Sequence, residues 1–129
     1  MAFTQDIEDF HIKFGREYTE GPRSLDDKEF IFRFNALLEE LMEYYDARNK
    51  KKLHEEFDAL IDLVYFAIGT AYRQGFDFEE GWKRVHEANM AKIPAEKDSD
   101  SKRGSSLDII KPVGWVKPDL RDLIIKEEV

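Results

Sequence analysis

The stretch Ala59-Leu60-Ile61-Asp62-Leu63-Val64-Tyr65-Phe66-Ala67-Ile68-Gly69 constrains this chain more than any other. It is apolar on every helical face, so its helix is expected to sit centrally among others. Asp62 alone interrupts it. A lone carboxylate in such surroundings costs several kcal/mol in desolvation unless it is neutralised. Asp58 lies one turn earlier on the same face, and Glu55 extends that face by a further turn. Acids stacked on one buried face repel one another unless a cation lies between them. A satisfied Asp62, bonded by Tyr65 or Arg33, is the competing structural reading.

The flanking sequence predicts which element faces that helix. A short amphipathic helix is expected over Phe3 to Phe14, with Phe3, Ile7, Phe10 and Phe14 on one stripe. A second helix is expected from about Asp26 to Arg48, capped by Ser24 or Asp26. Its buried stripe is Phe30, Phe34, Leu37, Leu41 and Tyr44. Beside it runs a second stripe of Arg33, Ala36, Glu40, Glu43 and Ala47, while Glu39 points further towards solvent. Asn49-Lys50-Lys51-Lys52 is a short turn, which implies that the third helix, about Lys52 to Gln74, returns antiparallel to the second. Glu43 and Asp58 lie at similar distances on either side of that turn. The pairs Glu40/Glu43 and Asp58/Asp62 therefore meet at similar heights. Four converging carboxylates suit a hard divalent cation, Mg²⁺ or Mn²⁺, whereas Zn²⁺ would prefer His or Cys.

Gly75 is a natural residue to follow the third helix, and Asp77 is placed to cap a fourth that Pro94 stops. Glu96 to Ser106 is polar and without periodicity, so a mobile loop is expected there. The segment 107–118 holds two prolines and a glycine and is read as an extended arm, with a last short helix over 119–126. The expected fold is all-α: a four-helix-bundle-like core over about 26–93, a short N-terminal helix and an extended C-terminal arm over about 95–129, in a single domain.

Composition removes several functional classes. At 42% hydrophobic and 37% charged the chain carries enough apolar material for a core. A formal net charge of −8 repels a phosphate backbone, so no nucleic-acid partner is expected. No apolar run approaches a membrane span, so no membrane partner is expected either. The absence of cysteine and of signal-peptide character in Met1-Ala2-Phe3-Thr4-Gln5-Asp6 suits a cytoplasmic protein.

These motifs together resemble the all-α nucleoside triphosphate pyrophosphohydrolases, which include MazG-like enzymes, dimeric dUTPases and the phosphoribosyl-ATP pyrophosphohydrolases. Glu39-Glu40-Leu41-Met42-Glu43 matches the family's E-E-x-x-E. Asp58 to Tyr65 matches its acid pair opening an apolar helix, although the usual E-x-x-D would place Glu at position 59, where this chain has Ala59. Glu55-x-x-Asp58 fits that spacing one turn early, and the sequence leaves open whether Glu55 or Asp58 partners Asp62. Val85-His86-Glu87-Ala88-Asn89-Met90-Ala91-Lys92 is similar to a V-H-x-x-N-x-x-K pattern, and Lys111-Pro112 to Pro118-Asp119 is similar to the family's C-terminal segment.

The resemblance implies a nucleoside triphosphate substrate, hydrolysed at the α-phosphorus to the monophosphate and pyrophosphate. It further implies Mg²⁺ held by Glu40, Glu43, Asp58 and Asp62, Glu39 as general base, and Asn89, Lys92, Lys111 and Arg33 as substrate-binding residues. A homo-oligomer, dimer or tetramer, goes with it. His86 and Trp82 are read as structural, and Trp115 as packing the arm. Two other readings compete. One is a non-enzymatic helical interaction protein whose acids pair with the Lys50-Lys51-Lys52 turn or a partner. The other is a nucleotide binder without turnover, which Ala59 allows.

Overall fold

The computed structural model describes residues 1–124. The fold is all-α in its core, with helices α1 (Ala2–Lys13), α2 (Asp27–Asn49), α3 (Leu53–Arg73) and α4 (Phe78–Met90). The chain divides into two compact units at Phe78/Glu79, within the span expected to be one core.

In the first unit α3 packs against both α1 and α2, which makes it the central helix, as its composition predicts. Asp26 caps α2 by accepting from the Glu29 amide at 2.8 Å. Residues 50–52 turn the chain into α3, with Lys51 at φ 57°. The α2/α3 hairpin has a fixed antiparallel register. Glu29 accepts a bidentate pair of hydrogen bonds from Arg73, at 2.7 and 3.0 Å. One turn further along α2, Arg33 lies against Gly69. Near the turn, Glu43 and Asp58 face the same cavity. Ala47 and Ala59, each 2% exposed, let the two backbones approach closely at that end.

Gly69 has a definite role in this packing. A Cβ there would lie 3.0 Å from Arg33 Nη1 and 3.3 Å from His11 Cε1. The absent side chain leaves room for a polar link between three helices. His11 Nδ1 lies 2.7 Å from the Ile7 carbonyl, so that nitrogen carries the proton and Nε2 accepts from Arg33 at 3.1 Å. Burial, opposed by the Ile7 hydrogen bond, lowers the His11 pKa and favours this neutral form. Gly75, at φ +70°, ends the hairpin beside the Gly21 and Glu20 carbonyls and the Tyr18 ring, where no Cβ would fit.

Several expectations about burial need correction. Ile7 of the α1 stripe is buried, but Phe3, Phe10 and Phe14 are exposed, and His11 is buried in their place. On α2, Phe30, Phe34 and Leu41 are exposed, and Leu37 and Tyr44 are half-buried. On α3, Leu60, Ile61 and Val64 are exposed, and burial falls on Ala59, Ile68 and Gly69. The physical reason is that each helix buries only the narrow face it turns to its neighbours. Close approach is made through small residues, so the large apolar side chains project outward.

The second unit begins at Glu79 and carries most of α4. A two-stranded antiparallel ribbon pairs Ile93 with Ile110 and Pro94 with Ile109. The polar segment between the strands is a folded loop, not a featureless one. Asp98 accepts from the Ser106 amide, Asp100 accepts from the Glu96 and Lys97 amides, and Ser101, 8% exposed, donates to Asp108 at 2.6 Å. Asp and Ser side chains that bond nearby backbone build such loops without apolar contacts. The helix expected over 119–126 is reduced to a 3₁₀ turn at Arg121–Leu123, tied to α4 through Arg84 and Asp122. Residues 125 and 126 of that expectation lie outside the described residues. No helix among the described residues is long and apolar enough to cross a membrane.

Candidate active site

The hairpin register that pairs Glu29 with Arg73 and Arg33 with Gly69 brings Glu40 opposite Asp62 and Glu43 beside Asp58. Glu40 and Asp62 are half-buried, whereas Glu43 and Asp58 are exposed at the mouth of the site. Asp62 is thus less deeply enclosed than its apolar surroundings in sequence predict, because Ile61 and Val64 beside it face outward.

The acids perturb one another. Burial, together with Glu43, Asp62 and Glu39, raises the Glu40 pKa from 4.5 to about 7. Burial, then the charges of Asp58 and Glu43, raises that of Asp62. Each charge acting on Asp62 is negative. The two side chains that would have neutralised it are engaged elsewhere. Arg33 bonds His11 and lies 4.0 Å from Glu29, and Tyr65 packs edge-on against Phe10. Arg33 is thus committed to His11 and Glu29 rather than to Asp62.

Glu40 Oε2 is buried and has no hydrogen-bond partner while both glutamates are ionised. A protonated Glu40 can donate to Glu43, and that hydrogen bond, after burial, is a cause of its raised pKa. A hard divalent cation relieves the same repulsion with greater charge, and oxygen-only donors fit Mg²⁺ or Mn²⁺. Among the described residues, no three acidic or His side chains already converge into a ready-made cage. Beside the carboxylates is a cavity of about 360 Å³ lined by Glu43, Asp46, Ala47, Lys50, Glu55 and Asp58. Glu55 and Asp58 therefore share one face, as their spacing predicts. Asp46 went unnoticed in the sequence, although it follows Glu43 by three residues and so shares its face.

The remaining candidates fall elsewhere. Glu39 is exposed and adds its charge to Glu40. Arg33, 9% exposed, belongs to the packing network of α1, α2 and α3, where it meets His11, Glu29 and Gly69. In the second unit, Lys92 and Lys111 lie over the Trp115 ring, and Trp115 Nε1 donates to the Ala88 carbonyl at 2.7 Å. Asn89 lies near the C-terminal end of α4.

A helical hairpin with confronted acids at its turn end defines the class of the all-α nucleoside triphosphate pyrophosphohydrolases. Residues 7–89 match the family described as phosphoribosyl-ATP pyrophosphohydrolase, and the chain belongs to that family. The match takes in most of α1, all of α2 and α3, and α4 to its penultimate residue. No curated protein sequence matches the chain. Membership makes this a pyrophosphohydrolase acting on a nucleotide-like substrate.

The raised Glu40 pKa has a signed consequence for stability. Folding favours the protonated carboxyl, so the associated stability is fully present below pH 4.5 and is lost as pH rises through about 7. In metal-free buffer, Glu40→Gln is expected to match the wild type at pH 4 and exceed it at pH 8.5. The gain is on the order of 1–2 kcal/mol once solvent screening is discounted. Thermal melts at both pH values in chelator measure this. Equal destabilisation at both would count against the repulsion.

Proposed function

We propose that the chain is a divalent-metal-dependent nucleoside triphosphate pyrophosphohydrolase, cleaving an NTP or dNTP to the monophosphate and pyrophosphate. The observation that supports this most is the set of unneutralised carboxylates Glu40, Glu43, Asp58 and Asp62 on facing turns of one hairpin. Those four side chains would hold Mg²⁺ or Mn²⁺. The ion supplies positive charge against the phosphate oxygens, which is most of what phosphoryl chemistry asks of a protein. Glu39, exposed next to this cluster, accepts the proton of the attacking water. Asn89, Lys92 and Lys111 donate to phosphate oxygens. Arg33 keeps a structural part.

Hydrolysis in oxygen-18 water distinguishes this reaction from its neighbours. The label is expected in the nucleoside monophosphate, with pyrophosphate unlabelled. Orthophosphate release, or label in the pyrophosphate, would overturn the assignment. Glu39→Gln should lower kcat about 10²- to 10⁴-fold while keeping the rise in Tm that Mg²⁺ produces. Asp62→Asn should lose both. Nucleotide binding without turnover in the wild type would select the non-hydrolytic reading that Ala59 permits.

The partner that completes the protein is a second copy of the chain. Phe30, Phe34, Leu41, Met42, Phe57 and Ile61 leave an apolar surface on α2 and α3 of a kind that monomers seldom expose. Light scattering at micromolar concentration should give a dimer or tetramer, and a monomer would contradict this part of the proposal.

A further inference from the structure

Helix α1 is held in place by two side chains. Of its 12 residues only Ile7 and His11 are buried, at 2% and 3% exposure, while Phe3, Phe10 and Ile12 are exposed. A helix of that length is marginal in water by itself, so α1 depends on its docking. Ile7 supplies the apolar burial and His11 the polar link. The chain that follows is anchored separately. The Arg16 carbonyl accepts from Arg73 at 2.7 Å, the Tyr18 amide donates to the Tyr72 hydroxyl at 3.0 Å, and the Arg23 amide donates to the Gln74 carbonyl at 2.9 Å. Between α1 and these anchors stands Gly15, at φ +68° with open space where a Cβ would be. A glycine there lets the backbone swing without steric cost.

His11 makes this docking only while neutral. Its Nδ1 donates to the Ile7 carbonyl at 2.7 Å, and its Nε2 accepts from Arg33 Nη2 at 3.1 Å. A proton on Nε2 would set two donors and two positive charges against each other at that separation. The surrounding groups do little to relieve this. One carboxylate acts on the ring, that of Glu29 on α2, and it already accepts both hydrogen bonds of Arg73 and lies 4.0 Å from Arg33. From α3, Arg73 adds a further positive charge, Gly69 has no side chain, and Tyr72 presents its ring at 4.8 Å. From α1 itself the Phe10 ring lies edge-on at 5.4 Å. Burial and the two arginines lower the His11 pKa, against the Ile7 hydrogen bond and the Glu29 charge.

We infer that α1 is an acid-released clasp: protonation of His11 frees it from α2 and α3 about a hinge at Gly15, while the hairpin and the anchored segment 16–23 stay in place. Docking favours the neutral imidazole, so it is undiminished above pH 6.5, the ordinary value that the released side chain regains, and weakens as pH falls below it. Glu29 stays ionised through that range, because Arg73 holds its carboxyl below 4.5. The Glu29–Arg73 clamp of the hairpin therefore outlasts the His11 link. Release uncovers Gly69 and opens Arg33, otherwise 9% exposed, to solvent. The device needs neither metal nor nucleotide and is independent of the reaction proposed above.

Hydrogen exchange of the full-length protein in metal-free buffer at pH 7.5 and 5.5 tests this, with rates expressed as protection factors to remove the intrinsic pH dependence of exchange. Uptake of one proton by a released His11 predicts about a tenfold loss of protection for the amides of α1 between those two pH values. The amides of α3 from Ile68 to Tyr72 should change less than about twofold. His11→Gln keeps a carbonyl that accepts from Arg33 but takes up no charge. Its α1 protection should change less than about twofold over the same range. Circular dichroism at pH 7.5 establishes that the variant is folded. Unchanged α1 protection in wild type, equal losses in α1 and α3, or a His11→Gln variant as acid-sensitive as wild type would each overturn the inference. The first two outcomes need wild type alone, so they decide the matter even where the variant fails to fold.

Discussion

The register of α3 against α2 places unlike charges together at one end of the hairpin and like charges together at the other. At the open end, Glu29 lies between Arg33 and Arg73, with neutral His11 tying in α1. Hydrogen bonding from Arg73 holds the Glu29 carboxyl below its ordinary range. Towards the turn, Glu40 lies under the charge of Glu43 and Asp62 under that of Asp58, and both are pushed the opposite way, while Lys50 lines the adjoining cavity with Glu43 and Asp58. The neutralised end fixes the register, and the register forces the acids together. Removing the Glu29–Arg73 clamp would therefore loosen the site as well as the fold.

This division of labour also explains the small residues of the hairpin. Gly69 makes room for the Arg33–His11 contact, and Ala47 and Ala59 bring the helices close near the turn. A glutamate at position 59, the family's usual choice, would meet the close approach of α2 at a residue that is 2% exposed here. In this chain the acidic face is carried instead by Asp58 and Asp62, with Glu55 and Asp46 at the edge of the adjoining cavity.

Most of the helical framework was legible in the sequence, because helix ends carry local signals. Asp26 caps α2 and Gly75 closes α3, as their residue types predict. That Glu43 and Asp58 come to one cavity was legible too, since a short turn and helical spacing determine which side chains share a height. Burial was not. Periodicity identifies an apolar face but not whether another element covers it, so Phe30, Phe34 and Leu41 were assigned inward and lie outward. The role of Arg33 depended on His11, and no local pattern links residues in separate helices. The segment over 96–106 was legible as a polar loop, but its internal bonding was not, because it comes from Asp and Ser side chains meeting the backbone, which composition alone does not locate.

The central claim is that Glu40 is held in an unrelieved carboxylate cluster suited to a divalent cation. Carbon-13 NMR titration of its side-chain carboxyl measures this directly. Without metal, the midpoint is predicted near pH 7, against an ordinary value of 4.5. With saturating Mg²⁺ it should fall below 4.5, as a bound cation favours the charged form. A metal-free midpoint near 4.5, or one that Mg²⁺ does not move, would contradict the account.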